Sequence, residues 1–146
     1  MKKTTFLLLA ASLLSAAAWL AADSLQGGAE FRLISSFDWK PATHLPPGAE
    51  YHLVREDPKT HGIQAVVRFP SGYAVPEHSH ETDETIVILS GKLQVKSGGR
   101  EEALDSGSYA VFPAGTRHSM SVPGWGKVLF LAATDGPYDL KASTSR

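Results

Sequence analysis

The sequence contains no cysteine. Disulfide bonds therefore cannot stabilise the chain, and a lipid-modified N-terminal cysteine is excluded. An excess of basic residues is also missing, because 14 Lys and Arg stand against 15 Asp and Glu. That balance offers no basic surface, so we expect no nucleic-acid partner. Helical periodicity is absent from the chain after residue 22. Burial of apolar side chains, together with any bound metal ion, must hold the fold together.

Residues 1–22 have the pattern of an export signal. Two basic residues, Lys2 and Lys3, precede an apolar run over residues 6–14, and small residues dominate 16–22. An uncleaved membrane anchor is the alternative, although the apolar stretch is near the lower length limit for crossing a bilayer. We expect 1–22 to be a signal peptide, and the mature protein then has no membrane partner.

Two cleavage positions fit this signal. Cleavage after Ala18 and cleavage after Ala22 both follow small residues, and the second is favoured because Asp23 then begins a polar terminus. The signal has no twin-arginine pair, so export of the unfolded chain is the simpler route, and the predicted location is periplasmic or secreted. A chain exported unfolded takes up its metal outside the cytoplasm, where intrinsic affinity favours copper and zinc over manganese and iron.

Three histidines and one glutamate have the spacing of a metal site. His78 and His80 are two residues apart, so both rings leave the same face of an extended strand. Glu84 follows after residues that can turn the chain back. A second turn, within Gly107–Gly115, delivers His118 onto another strand. Together these four side chains could hold a divalent ion and leave one or two of its positions open for water, dioxygen or a ligand.

The residues around these candidates resemble the two motifs of the cupin superfamily. The matching positions are Gly72, His78, His80, Glu84 and Gly91 for the first motif, and Gly107, Pro113, Gly115 and His118 for the second. One position departs, because Val122 stands where the second motif usually has an asparagine. That asparagine is not a ligand in the family, so the departure concerns packing beside the site.

The resemblance implies a small β-barrel with one divalent transition metal, which could be Fe, Mn, Cu, Ni or Zn. Because cupins include dioxygenases, isomerases, decarboxylases, sugar-binding modules and sensors, it does not specify a substrate. We expect an oxygenase of the dioxygenase type that acts on a small molecule, with Glu84 loosening from the metal to serve as the catalytic base. A metal-dependent isomerase, a non-catalytic binding or sensing module and a purely structural ion are the alternatives.

Short strands separated by glycine and proline turns make up the rest of the chain. About eight strands are predicted from runs of alternating or β-branched residues. They include Glu50–Arg55, Gly62–Phe69, Thr85–Leu89, Lys92–Lys96, Tyr109–Phe112 and Lys127–Ala133. This pattern predicts an all-β fold, a single-domain jelly-roll β-barrel over residues 49–137.

The flanking segments are interpreted from their proline content and polarity. Residues 23–48 are expected to form an N-terminal strand, Glu30–Ser36, and a Pro-rich arm. Because proline cannot continue a ladder, such a strand suits an edge that pairs with a second copy, and we predict a homodimer. Residues 138–146 are expected to be a loose tail.

Several side chains outside the candidate ligand set are also assigned from the sequence. His44, His52 and His61 lie outside both motifs and are predicted to be surface residues. Arg68 is either a rim residue or a contact for an anionic ligand. Part of an apolar ligand pocket is expected from Tyr73, Tyr109, Phe112, Met120, Val122 and Phe130.

Overall fold

A computed structural model describes residues 28–124 and 126–143 of the 146-residue chain. The predicted signal peptide and its cleavage positions lie outside these described residues. Contacts divide the chain into two units, Met1–Arg32 and Leu33–Arg146. In the first unit, residues 28–32 form neither helix nor strand, and Arg32 Nε donates to Glu30 Oε1 over 2.8 Å. Across the described ranges, no helix is long and apolar enough to cross a membrane.

The second unit is a pair of antiparallel sheets. Its strands are β1 (Lys40–Pro41), β2 (Glu50–Glu56), β3 (Ile63–Phe69), β4 (Ala74–Ser79), β5 (Glu84–Ser90), β6 (Lys92–Ser97), β7 (Arg100–Asp105), β8 (Tyr109–Phe112), β9 (His118–Ser121), β10 (Val128–Thr134) and β11 (Lys141–Ala142). One sheet has six strands in the order β1-β2-β3-β10-β5-β8, and the other has five in the order β11-β4-β9-β6-β7.

Alternating side chains from the two sheets fill the space between them. Along β5, Glu84, Ile86 and Ile88 are buried, whereas the residues between them are only partly covered. β10 follows the same alternation over its whole length. Period-two burial is what a strand with one covered face requires, and each fully buried large apolar side chain contributes about 1.5–3 kcal/mol. The predicted all-β jelly-roll fold is confirmed.

Gly91 closes the turn between β5 and β6. Its φ is 82°, and a Cβ built at this position would lie 2.1 Å from the main-chain oxygen of Lys127. Any other residue would push the turn away from the segment that enters β10. The glycine that ends the first motif is therefore required by a close approach of two backbone segments.

The predicted strand Glu30–Ser36 is wrong. The chain instead forms a 3-10 helix at Ile34–Ser36, in which the Ser36 hydroxyl donates to the Leu33 carbonyl over 2.7 Å. A short polar side chain that bonds the nearby backbone competes with strand pairing.

The prediction of a loose tail is also wrong for the described part of 138–146. Lys141–Ala142 forms β11 and pairs with Ser79 and His78 of β4. Without this pairing β4 would be an edge strand with open backbone groups, and β11 satisfies them.

Candidate metal centre and ligand cavity

Two neighbouring strands of one sheet and one strand of the other bring the predicted ligands together. His78 lies on β4 and His118 begins β9, and these two residues are partners in the antiparallel ladder. His80 comes directly after β4. Glu84 is the first residue of β5, which belongs to the six-stranded sheet. The four side chains therefore meet between the two sheets.

These side chains form a compact buried cluster. One ring nitrogen from each of His78, His80 and His118 lies within 4.8 Å of those of the other two. Glu84 Oε2 lies 3.4 Å from His80 Nε2 and 3.3 Å from His118 Nε2. None of the four residues is more than 4 % exposed. The structure thus brings together all four candidate ligands, and the three buried histidines could hold a metal ion.

Main-chain carbonyl groups fix the orientation of the three rings. In each ring Nδ1 faces a carbonyl oxygen, and the pairs are His78 with Pro76 at 2.8 Å, His118 with Thr116 at 3.0 Å, and His80 with Asp139. Because a carbonyl oxygen only accepts, each Nδ1 carries the proton and donates. Each Nε2 of a neutral ring then keeps a free lone pair, which is the form that binds a metal.

Acceptor atoms consequently face one another inside the cluster. Among the described residues, His80 Nε2, His118 Nε2 and Glu84 Oε2 are buried and have no hydrogen-bond partner. Leaving such a group unsatisfied costs about 1–3 kcal/mol. A divalent cation would satisfy all three atoms at once, and imidazole nitrogens with a carboxylate oxygen suit first-row divalent ions. The residues present therefore fit a metal ion.

The pKa values of the cluster reflect burial and mutual contact. Burial lowers the pKa of His78 to about 4, so this ring is neutral at neutral pH. Burial would also lower the pKa of His80, but the carboxylate of Glu84 beside it raises that pKa instead. Burial alone would raise the pKa of Glu84, yet the imidazoles of His118 and His80 hold it at about 2. The raised pKa of His80 and the lowered pKa of Glu84 show that the carboxylate attracts positive charge, and a divalent cation would take the place of a proton between them.

Backbone hydrogen bonds join the two motifs next to the cluster. The amide of Gly115 donates to the His80 carbonyl over 2.8 Å, and the amide of Ala114 donates to Asp83 Oδ1 over 2.8 Å. Gly115 has a φ of 76°, a conformation that glycine adopts without steric cost. The turn of the second motif is thereby fastened to the segment that carries the first-motif ligands.

The segment after β10 contacts the candidate metal ligands. Its role was not predicted from the sequence. The carbonyl of Asp139 orients His80, and the Asp139 carboxylate accepts from the Glu81 amide over 3.0 Å. The ring centroid of Tyr138 lies 5.4 Å from that of His80. Lys141 forms an ion pair with Glu81 and helps to anchor the segment. No local sequence signal marks these residues, because Asp139 and His80 are 59 positions apart.

An apolar cavity of about 270 Å³ lies beside the cluster. His78 and Glu84 line it, as do apolar side chains of β3 and β10 such as Val67 and Phe130. Tyr138 lines it as well; its burial, then the negative charge of Glu84, raises the pKa of its hydroxyl far above the ordinary value. The cavity thus places candidate metal ligands and a protonated phenol against a mostly apolar wall.

The predicted pocket residues divide into three groups. Met120 and Phe130 line the cavity. Phe112 stacks on the His118 ring with a centroid distance of 3.9 Å and an interplanar angle of 8°, so it supports a candidate ligand. Tyr73 and Val122 belong to the hydrophobic core, and Tyr109 is exposed on β8.

The three histidines outside the motifs have different environments. His61 is exposed in a turn, with a φ of 58°, and Nδ1 lies 2.8 Å from Glu56 Oε1. His52 is half-buried because the Phe37 ring stacks on it at 4.1 Å. His44 is exposed, as predicted, but it also lines the cavity, which the surface prediction did not include.

Arg68 has a structural environment on the side of β3 that faces away from the core. Its Nε donates to Glu50 Oε2 over 2.6 Å, and its guanidinium lies 4.1 Å from the centre of the Trp39 ring. Such partners favour the interpretation as a rim residue over that of a contact for an anionic ligand.

Comparison with known proteins agrees with this fold. Residues 65–134 match the family model described as "Cupin domain". Quercetin 2,3-dioxygenase of Bacillus subtilis (strain 168) is 49% identical to the chain over 49 residues, which are 33% of this chain and 14% of that enzyme. The match therefore spans only a small part of that relative's length.

Solved structures with low sequence identity to the chain superpose on its fold. A protein from Methylibium petroleiphilum PM1 that is proposed to be an acetylacetone dioxygenase superposes with a TM-score of 0.66 at 21% identity, over 83% of this chain and 85% of that one. A cupin-2 domain protein from Rhodospirillum rubrum superposes with a TM-score of 0.66 at 13% identity, over 80% of this chain and 81% of that one. The fold is therefore the cupin fold.

Proposed function

We propose that the protein is an exported cupin that binds one divalent transition metal and acts as an oxygenase of the dioxygenase type on a small molecule. The observation that carries the proposal is the position of the unpaired acceptors. Two imidazole nitrogens and an oxygen of Glu84 are buried without partners, and Glu84 also lines an apolar cavity of about 270 Å³. A cavity of this kind holds a small, mostly apolar ligand next to a few fixed polar groups.

Four side chains of this chain would hold the ion, namely His78, His80, Glu84 and His118. When bound, the ion supplies Lewis acidity and open positions for oxygen atoms of a ligand and of dioxygen. The three rings are already aimed by their Nδ1 hydrogen bonds, so binding needs little rearrangement.

Glu84 is the group that would accept a proton from the substrate. Its carboxylate is ionised at neutral pH because its pKa is held at about 2. Because a carboxylate of such a low pKa is a weak base, a ligand hydroxyl that reaches Glu84 would transfer its proton there only if the ion, when bound, lowers the pKa of that hydroxyl. The deprotonated ligand would be more electron-rich and more reactive toward oxygen. The apolar wall excludes water from the deprotonated ligand.

Two comparisons support oxygen chemistry on an enol-like substrate. The chain shares a segment with quercetin 2,3-dioxygenase, and its fold superposes on that of a protein proposed to be an acetylacetone dioxygenase. Both ligand names describe molecules with two oxygen atoms close enough to bind one ion. We infer the same substrate class for this chain.

Export and self-association belong to the proposal as well. Residues 1–22 support export to the periplasm or beyond the cell, and cell fractionation with N-terminal sequencing of the mature chain tests it. The homodimer stays a prediction, although the strand on which it was based is a 3-10 helix. Light scattering on the purified protein would decide it.

Oxygen uptake tests the activity. The iron- or copper-loaded protein is mixed with quercetin, catechol or acetylacetone, and consumption of dioxygen is expected with at least one of them. The Glu84→Gln variant is the control, and it should consume little. Binding without oxygen consumption across all three compounds would contradict an oxygenase and would indicate a ligand-binding module.

A further inference from the structure

Two side chains from segments outside both motifs line the cavity together. His44 lies in the Pro-rich loop 42–48, and Tyr138 lies between β10 and β11. Their ring centroids are 6.2 Å apart, and the ring planes are tilted by 59°. His44 is exposed whereas Tyr138 is only partly so. Both rings therefore line the cavity, and His44 is the more exposed to solvent of the two.

Tyr138 is positioned by its neighbours rather than by its own hydroxyl. Directly after it in the chain, Asp139 is bonded to His80 and to the Glu81 amide, and Lys141 begins β11. The phenol hydroxyl makes none of these bonds. Among the described residues the Tyr138 hydroxyl has no hydrogen-bond partner, and such a group on a residue that lines a cavity is suited to donate a hydrogen bond to a ligand.

The ring of Tyr138 lies close to the candidate metal ligands, which distinguishes its hydroxyl from the other polar groups of the cavity. Besides His44 and the candidate metal ligands His78 and Glu84, the other polar side chains that line the cavity are Thr43, Tyr51 and Glu56, from β2 and the loop before it. Tyr138 differs because its ring lies 5.4 Å from that of a candidate metal ligand, His80. A ligand with two oxygen atoms at the centre would hold its adjoining atoms close to this phenol.

Part of the cavity wall is apolar, so a ligand with extra hydroxyl groups needs a polar partner such as Tyr138. Val67, Phe69, Met120 and Phe130 line part of the cavity and have apolar side chains. A ligand hydroxyl placed against such a wall loses its hydrogen bonds to water, which costs about 1–3 kcal/mol without a replacement. Ligands that carry extra hydroxyl groups thus bind well only if the protein offers a partner.

We propose that Tyr138 and His44 orient the ligand, and that they select a planar polyphenol. The Tyr138 hydroxyl donates a hydrogen bond to an oxygen atom that the ligand carries beyond its metal-binding pair. His44 contacts the same edge of the ligand at the mouth of the cavity. The inference rests on the proposed function, since the ligand's first two oxygen atoms are placed at the metal centre.

Two flavonols separate this role from general support of the fold. Quercetin carries hydroxyl groups beyond its chelating hydroxyl and carbonyl, whereas 3-hydroxyflavone carries that pair alone. Absorbance titration of the zinc-loaded full chain measures Kd for each compound without turnover. Tyr138→Phe is expected to weaken the binding of quercetin about tenfold, the value of one hydrogen bond, and to change that of 3-hydroxyflavone less than twofold.

Matched variants complete the experiment. His44→Phe keeps a ring at the mouth and should also weaken quercetin more than 3-hydroxyflavone. Tyr109→Phe removes the hydroxyl of an exposed tyrosine on β8 and should change neither Kd. The zinc content of Tyr138→Phe should equal that of the wild type, because the phenol is not a support for the metal ligands.

Five outcomes would overturn the inference or the function on which it rests. Equal weakening of both flavonols, or no weakening of either, contradicts a selective hydrogen bond from Tyr138. A fall in zinc content assigns the tyrosine to the metal centre instead. Wild-type protein that binds neither flavonol overturns the inference together with the proposed substrate class. Quercetin binding that depends on Tyr138, but without oxygen uptake by the iron- or copper-loaded protein, contradicts the proposed oxygenase and supports the inference.

Discussion

The main-chain carbonyl of Asp139 accepts a hydrogen bond from Nδ1 of His80, 59 residues earlier in the chain. This single contact fixes the ring of a candidate metal ligand from a segment that lies outside both motifs. The segment is itself anchored to β4, through β11 and the bond from the Glu81 amide to Asp139. Residues 139–142 therefore support the candidate metal centre.

Removing this segment should weaken metal binding. A variant that ends at Pro137 loses the carbonyl that holds His80 and the strand that covers β4. Loss of such a supporting contact typically lowers metal affinity about 10- to 100-fold. Competition with a chromophoric chelator measures the affinity. A variant that lacks only residues 144–146 is the control and should bind metal like the full chain. Equal affinity in the two variants would show that Asp139 is dispensable.

The purified protein should contain about one transition-metal ion per chain. Because a metal that binds only the folded state stabilises it by mass action, free ion at 100 times Kd adds about 2.7 kcal/mol to the free energy of unfolding. Chelation should lower Tm accordingly, and elemental analysis should identify the ion. His118→Ala should abolish both effects, whereas His61→Asn should preserve them, since asparagine tolerates the φ of 58° at this exposed turn. Metal-free protein that ignores chelators would contradict the site.

Replacing Glu84 by glutamine tests its proposed roles as a metal ligand and as the catalytic base. The amide keeps the shape of the side chain but removes the charge that faces His80 and His118 at 3.4 and 3.3 Å. Turnover should fall about 10²- to 10⁴-fold, the usual contribution of a general base. Metal affinity should also decrease, so turnover must be compared at equal metal content. Glu102→Gln, at an exposed position of β7, is the matched control. Full activity of metal-loaded Glu84→Gln would remove Glu84 from the chemistry.

The metal-free protein should lose stability on acidification between pH 6.5 and 4. Burial lowers the pKa of His78 to about 4 in the folded state, so the unfolded chain takes up the proton first as pH falls. His78 therefore stabilises the fold fully above pH 6.5, and about 3 kcal/mol is lost as pH falls to 4. Urea unfolding at several pH values measures the loss.

Two other members of the cluster change their contribution to stability mainly outside this pH range. The pKa of Glu84 is about 2, so its contribution is present above pH 4.5 and is lost as pH falls toward 2. The raised pKa of His80 gives a contribution of opposite sign, present below pH 6.5 and lost at higher pH. His78→Asn isolates the first effect, because it should flatten the curve between pH 6.5 and 4, whereas His61→Asn should not. A curve that is the same in wild type and His78→Asn would contradict the buried neutral ring.

Local patterns predicted the strands well because burial follows the period of a strand. Tyr109–Phe112 forms β8 with the predicted bounds, and Glu50–Arg55 extends by one residue in β2. The predictions were wrong for segments whose structure depends on a local side-chain hydrogen bond or on pairing with a distant strand. Ser36 bonds the nearby backbone and turns a predicted strand into a 3-10 helix, and β11 forms only because β4 offers a free edge.

The sequence by itself determined the all-β fold and the four residues that converge on one point, since alternation, turn residues and histidine spacing are local properties of the chain. Only the tertiary structure showed which other residues surround the four candidate ligands. Contact between His80 and Asp139, the Tyr138 ring beside it, and His44 at the cavity all join segments far apart in sequence. Such contacts depend on how the two sheets pack and on where the loop 42–48 and the segment after β10 lie. No period or motif in a single sequence encodes the distance between these segments.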